Sequence, residues 1–169
     1  MRLKQVLYNA AIALVAIVAD QLVKLLIVRF LAVGEGVELL PFLALYHARN
    51  DGIAFSMLAG FGDVGLSIVA LLVLGFVAWL WWKTPPERRL THVGFAVIVG
   101  GAIGNLIDRV RLGYVVDYIL FHTPVWSFAV FNLADACITV GAGLVLLDEF
   151  LLVGRSRRPP PTDARETGD

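Results

Sequence analysis

Val64-Gly-Leu-Ser-Ile-Val-Ala-Leu-Leu-Val-Leu-Gly-Phe-Val-Ala-Trp-Leu-Trp-Trp82 runs for nineteen residues without a charge. A helix needs about twenty apolar residues to cross the hydrocarbon core of a bilayer. The stretch ends in Trp79, Trp81 and Trp82, amphipathic rings of the kind that settle at a lipid–water boundary. This is a membrane span, and the rest of the chain is read outward from it. Towards the C-terminus, a second span covers residues 90–108, uncharged from Leu90 to Ile107 with His92 neutral. Two further stretches are interrupted by acid. Residues 6–30 contain Asp20 and Lys24, and residues 131–153 contain Asp135, Asp148 and Glu149. Pro124 favours a break before the last of these.

The whole composition agrees with membrane residence. The chain has 169 residues, of which 59% are hydrophobic, and a mean hydropathy of +0.79. Soluble domains average nearer 45–50% apolar residues. Fourteen basic and fourteen acidic residues give zero net charge, which argues against a nucleic-acid partner. Arg2, Lys4, Lys83, Arg88, Arg89, Arg155, Arg157, Arg158 and Arg165 all fall on one side of a four-span chain. The positive-inside rule makes that side, and both termini, cytoplasmic. The first stretch lacks a small-x-small cleavage site and stays apolar past Asp20, so it is read as a retained span. The single cysteine, Cys137, excludes an internal disulfide and a cysteine metal cluster. Residues 1–154 read as one membrane domain, and residues 155–169, with Pro159, Pro160 and Pro161, as a disordered cytoplasmic tail.

Two outer loops remain. In residues 31–63, Val37-Glu-Leu-Leu-Pro-Phe-Leu-Ala-Leu-Tyr-His47 is rich in strand formers and reads as short β structure against the outer leaflet. In residues 110–130, Tyr114, Tyr118, Trp126 and Phe128 read as interfacial anchors.

The charges at membrane depth carry the functional information. At 1.5 Å per residue, Asp20 lies roughly 21 Å above the inner boundary, and Asp108 and Asp135 each roughly 27 Å. Asp117 follows on the outer side, and Asn50, Asn105 and Asn132 fall in the same layer. Ionisable residues at such depth usually face a bundle interior or a polar cavity. Asp20 has Lys24 at i+4, a helix-face pair; Asp108 has Arg109 beside it and Arg111 nearby. Asp117 and Asp135 have no cation within four residues. Two such carboxylates in a partly desolvated site can share one proton, the state in which one acid activates water and the other protonates an amine. The alternative is a set of buried acids paired with Arg109, Arg49 or the asparagines. A small proton- or cation-coupled transporter would use the same carboxylates, but no acid lies between Asp135 and Asp148 to continue a path.

Other chemistries leave no mark. There is no His-Glu-x-x-His and no Gly-x-Ser-x-Gly. Gly60-Phe-Gly-Asp63 matches a Gly-x-Gly-Asp string found in presenilin-type proteases, but its ordinary reading is a helix start with Asp63 as N-cap. Gly100 and Gly104 read as a close helix contact.

Five strings in order resemble the bacterial lipoprotein signal peptidase family, signal peptidase II: Asp20-Gln-Leu-Val-Lys24, Asn50-Asp-Gly-Ile-Ala-Phe-Ser56, Gly101-Ala-Ile-Gly-Asn-Leu-Ile-Asp-Arg109, Val115-Val-Asp-Tyr118 and Phe131-Asn-Leu-Ala-Asp-Ala136. Ile53 departs from the alanine frequent there. The resemblance implies an all-α polytopic membrane protein of four transmembrane helices with a small extracytoplasmic β-cradle. It implies an aspartic endopeptidase of the bacterial inner membrane that cuts prolipoproteins before a diacylglyceryl-modified cysteine. Asp117 and Asp135 match the catalytic dyad. Asn50, Gly52, Asn105, Asp108, Arg109 and Asn132 match positions that bind substrate or brace the site, and Asp20 and Lys24 are expected as structural polar residues. The expected partners are the diacylglyceryl-prolipoprotein substrate and membrane lipid. No metal, no nucleotide and no other cofactor is expected, and the chain is expected to act as a monomer.

Overall fold

The computed structural model describes residues 3–52 and 62–156, with the backbone alone for residues 62–64 and 153–156. The element order is α1 (Leu3–Phe30), β1 (Gly36–Leu40), β2 (Leu43–Asn50), α2 (Gly62–Lys83), α3 (Arg89–Leu112), β3 (Val115–Thr123), β4 (Trp126–Ser127) and α4 (Leu133–Ser156). The fold is mostly helical, with one small sheet in the order β1-β2-β3-β4, antiparallel at each pairing. The helices Leu3–Phe30, Gly65–Lys83 and Arg89–Leu112 are long and apolar enough to cross a membrane. The fourth helix, α4, is of similar length but carries Asp135, Asp148 and Glu149. Arg88 answers two of those acids. It lies 2.9 Å from Asp148 and 2.9 Å from Glu149, and the Thr91 hydroxyl donates to Asp148 at 2.5 Å. The halves of Gly60-Phe-Gly-Asp63 that matter, its first two residues and the Asp63 side chain, lie outside the described residues, as does the tail from Arg157.

Helix α3 is the axis of the bundle, and glycines let its neighbours approach. On the α4 side, a Cβ added to Gly94 would lie 2.7 Å from the Gly141 carbonyl oxygen, and one on Gly141 2.6 Å from that of Gly94. A Cβ on Gly101 would collide with the Ala134 carbonyl oxygen. On the α1 side, a Cβ on Gly100 would lie 2.7 Å from that of Ala16, and one on Gly104 2.6 Å from Asp20 Oδ2. The close contact read from Gly100 and Gly104 is therefore the α1–α3 seam. Gly101→Ala should destabilise the bundle by about 1–3 kcal/mol through overpacking. Gly143, with nothing within 4 Å of an added Cβ, is the control. Melting in detergent should fall for Gly101→Ala and hold or rise for Gly143→Ala; equal melting would remove packing as the reason for Gly101.

Helix α2 is apolar all round, with nothing buried along its span, as suits a helix facing lipid. It meets α3 at its C-terminal end. Trp81 Nε1 donates to His92 Nδ1 at 2.7 Å, and His92 Nε2 lies 3.1 Å from the Pro85 carbonyl oxygen. Nδ1 accepts and Nε2 donates, so this buried histidine is satisfied in its neutral form.

The strand-rich stretch at residues 37–48 forms β1 and β2 as expected. The second outer loop also contains sheet. Residues 115–123 form β3, a strand for which the sequence carried no clear signal. Val115-Val-Asp-Tyr-Ile-Leu-Phe-His-Thr has no in–out alternation, because its first four residues are all buried, and alternation is the usual signal of a strand. Tyr118 is not an interfacial anchor. It is 3% exposed, packs with Ile27 and Val116, and its hydroxyl accepts the Leu133 N–H at 3.1 Å. Trp126 and Phe128 do stay exposed. Tyr114 lies under Arg49, whose guanidinium carbon is 4.7 Å from the ring centre.

Candidate active site

Strand β3 carries Asp117 to the end of the bundle, and the register of the sheet places Asn50 beside it. Asn50 faces Val115 across the β2–β3 ladder, and Ala48 faces Asp117. Between Leu45 and Ala48, β2 advances three residues while β3 advances from Ile119 to Asp117, so the pairing shifts by one. After this bulge Asn50 and Asp117 share a face as diagonal neighbours. Asn50 Nδ2 donates to Asp117 Oδ2 at 2.9 Å. The other end of the Asn50 amide is held locally, since Oδ1 accepts the Gly52 N–H at 2.9 Å. Gly52 sits at φ 85°, a left-handed conformation natural to glycine. This gives Gly52 a positional role: it closes the turn that aims Asn50.

Asp135 arrives from α4. Asn132 precedes the helix, and its Oδ1 accepts the Asp135 N–H at 2.9 Å. Asp135 Oδ2 accepts the Asn132 N–H in return at 3.2 Å. This is a reciprocal capping box in which an asparagine and an aspartate take the usual roles. The helix start thus fixes the backbone of both residues and leaves the Asn132 amide nitrogen free to reach across. Asn132 Nδ2 donates to Asp117 Oδ1 at 2.6 Å and to Asn105 Oδ1 at 3.0 Å. One residue therefore touches both aspartates, by its backbone on one side and its side chain on the other.

Beneath the pair lies a buried ionic cluster. Asn105 Nδ2 donates to Asp135 Oδ1 at 2.8 Å, and its Oδ1 accepts from Lys24 Nζ at 2.8 Å. Lys24 also lies 2.9 Å from Asp20 Oδ2 and 2.9 Å from Asp108 Oδ2. Asp20 Oδ1 accepts the Ala134 N–H at 3.0 Å, so it caps α4 as well. Asp108 Oδ2 accepts the Val116 N–H at 3.1 Å, tying α3 to β3 beside Asp117. The Asp20–Lys24 pair at i+4 was expected. The partner of Asp108 was not: it is Lys24 on another helix, rather than neighbouring Arg109. Arg109 is half-buried, and among the described residues it bonds to neither Asp117 nor Asp135. Sequence reading passed over Gln21, whose Nε2 donates to Asp108 Oδ1 at 2.9 Å and the Gly104 carbonyl at 3.1 Å. Its signal was present: an amide beside Asp20 inside a span.

Asp117, on the sheet outside the helices, is 2% exposed. Burial pushes its carboxyl from the ordinary 3.8 to about 6, against the opposing hydrogen bond from Asn50, and the charge of Asp135 adds to the rise. Two acids close enough to repel, held by amides rather than by cations, favour retention of one proton on the pair.

Comparison with known proteins places the chain in a family. Residues 12–151 match the model of the family described as "Signal peptidase (SPase) II". The lipoprotein signal peptidases of Brucella ovis and of Brucella melitensis are each 56% identical over 146 residues, covering 86% of this chain and 91% of theirs. Two solved structures described as bacterial membrane enzymes superpose on the fold. One has a TM-score of 0.75 at 30% identity, covering 83% of this chain and 90% of its own. The other has a TM-score of 0.79 at 28% identity, covering 90% and 93%. With most of its length matched by the family and its relatives, this membrane protein belongs to signal peptidase II.

Proposed function

We propose that the chain is an aspartic endopeptidase that removes signal peptides from prolipoproteins, cutting on the N-terminal side of a diacylglyceryl-modified cysteine, with Asp117 and Asp135 as its catalytic pair. The supporting observation is the bridge made by Asn132, which holds one oxygen of each aspartate at 2.6 and 3.2 Å. The family supplies the substrate class, since its relatives are named lipoprotein signal peptidases. The transporter alternative has no support. The two acids nearest the other end of α4, Asp148 and Glu149, are engaged by Arg88.

In the proposed mechanism the ionised member of the pair takes a proton from water, and the hydroxide adds to the scissile carbonyl carbon. The protonated member gives its proton to the leaving nitrogen as the tetrahedral intermediate collapses. Asn50 and Arg109 hold substrate backbone, while Asn105, Asp108 and Asn132 keep the acids in place. Four spans, with α4 as the fourth, put both termini in the cytoplasm and the aspartates near the outer leaflet of the inner membrane, where water reaches them. Residues 1–154 form one such domain, acting as a monomer.

The test is cleavage by purified protein of a precursor with and without its diacylglyceryl group. Product from the modified precursor should begin at the modified cysteine. Equal cleavage of the unmodified precursor, or cleavage elsewhere, would overturn the assignment. A reporter fused after Pro85 should read cytoplasmic, and a periplasmic reading would invert the orientation.

The pH dependence has a predicted sign. Activity falls on the alkaline side as the pair loses its remaining proton, and the apparent value belongs to the pair. Asn50 donates to the ionised form of Asp117 and so holds its pKa down. Asn50→Ala removes that donor, and the alkaline limb of kcat/KM should move to higher pH. A limb that stays or moves to lower pH would separate Asn50 from the titration.

A further inference from the structure

A second site lies at the opposite end of the bundle. The N-terminal ends of α1 and α3 flank a half-open groove of about 760 Å³, lined by Lys4, Gln5 and Tyr8 from α1 and by Arg89, Leu90 and Val93 from α3. Lys4 stands sixteen residues before Asp20 on one continuous helix, roughly 24 Å along the axis. The aspartates and the groove are therefore separated by nearly the thickness of a hydrocarbon core, about 30 Å. The groove sits at headgroup depth on the face away from the dyad.

Its chemistry is that of a half-apolar anion site. Two cations line it, Lys4 and Arg89, while neighbouring Arg88 is engaged by Asp148 and Glu149. Lys4 and Arg89 form no ion pair with any described acid, and Glu87, in the same turn, does not line the groove. Gln5 Nε2 donates to the Pro86 carbonyl oxygen at 3.2 Å, which ties the start of α1 to the turn before α3 and keeps the two cations together. Tyr8 adds a hydroxyl, and Leu90 and Val93 supply apolar wall. Basic pockets between helices at a membrane surface are suited to acidic lipid headgroups.

We propose that Lys4 and Arg89 bind the phosphodiester of an anionic phospholipid of the phosphatidylglycerol type, its glycerol and upper acyl segments lying against Leu90 and Val93. This rests on the helices spanning the membrane but not on the peptidase mechanism. The test measures melting of purified protein in zwitterionic phosphatidylcholine micelles titrated with phosphatidylglycerol. Wild type should be stabilised. In Lys4→Gln/Arg89→Gln the phosphatidylglycerol fraction for half-maximal stabilisation should rise about tenfold or the response vanish, with unchanged melting in phosphatidylcholine alone as the check on folding. Asp117→Asn should respond as wild type does. A full response in the double variant, equal stabilisation by added phosphatidylcholine, or the same stabilisation from inorganic phosphate would overturn the lipid site. Loss of the response in Asp117→Asn would move the lipid to the dyad end and overturn it as well.

Discussion

Asp117→Asn and Asp135→Asn should each lower cleavage of the diacylglyceryl precursor by at least about a thousandfold, the scale set by losing general acid–base chemistry. The double variant should be no worse than either single one, because the two acids act as a unit. Retention of about a tenth of wild-type activity by either variant would sink the dyad. Folding should survive, since asparagine preserves shape and keeps one acceptor oxygen. For Asp117 the stability change also has a sign. Its folded pKa, about 6, stands above the ordinary 3.8, so the native state holds the proton more tightly than the unfolded chain. Wild-type stability should therefore fall as pH rises from about 4 through 6, by at most about 3 kcal/mol. Asp117→Asn has no proton to lose there. Its melting temperature relative to wild type should rise between pH 4.5 and 7.5, and a constant difference would show that burial of Asp117 is not costly.

The spans were legible because lipid demands long apolar helices, and residues 64–82 could be little else. The acidic layer was legible for the same reason: carboxylates are conspicuous inside apolar runs, and a rise of 1.5 Å per residue sets their heights. What height cannot set is azimuth. Adjacency in sequence pairs Asp108 with Arg109, yet residues one apart on a helix point about 100° away from each other, and Asp108 turns inward to Lys24. The strand β3 was hidden because burial on both faces erases alternation. With it went the role of Tyr118, which points to α4 rather than to lipid. Asn132-Leu-Ala-Asp135 is different. Its capping-box spacing was in plain view, and it explains why Asn132 and Asp135 are set together.

Lys24, expected with Asp20 as a structural polar residue, also stands one hydrogen bond from the amide that holds Asp135. Its three N–H groups are matched by three acceptors: Asp20 Oδ2, Asp108 Oδ2 and Asn105 Oδ1. The third of these, together with the Asn132 amide nitrogen, sets which way the Asn105 amide points. With its oxygen on Lys24, its nitrogen must face Asp135. Lys24→Met keeps much of the volume but leaves two carboxylates, 0% and 3% exposed, without their cation. Breaking a buried pair in this way costs about 3–5 kcal/mol, and the variant should melt far below wild type or fail to accumulate. A second variant then separates lost charge balance from lost amide orientation. Asp20→Asn/Lys24→Met/Asp108→Asn removes all three charges and should recover much of the lost stability, since neutral amides tolerate burial once hydrogen-bonded. Activity should return only in part, because the Asn105 oxygen then keeps the Asn132 donor alone and has lost that of Lys24, and the remaining loss should fall on kcat rather than KM. Full recovery of kcat along with stability would make Lys24 a purely structural ion. A triple variant no more stable than Lys24→Met would show that uncompensated charge is not what the lysine relieves.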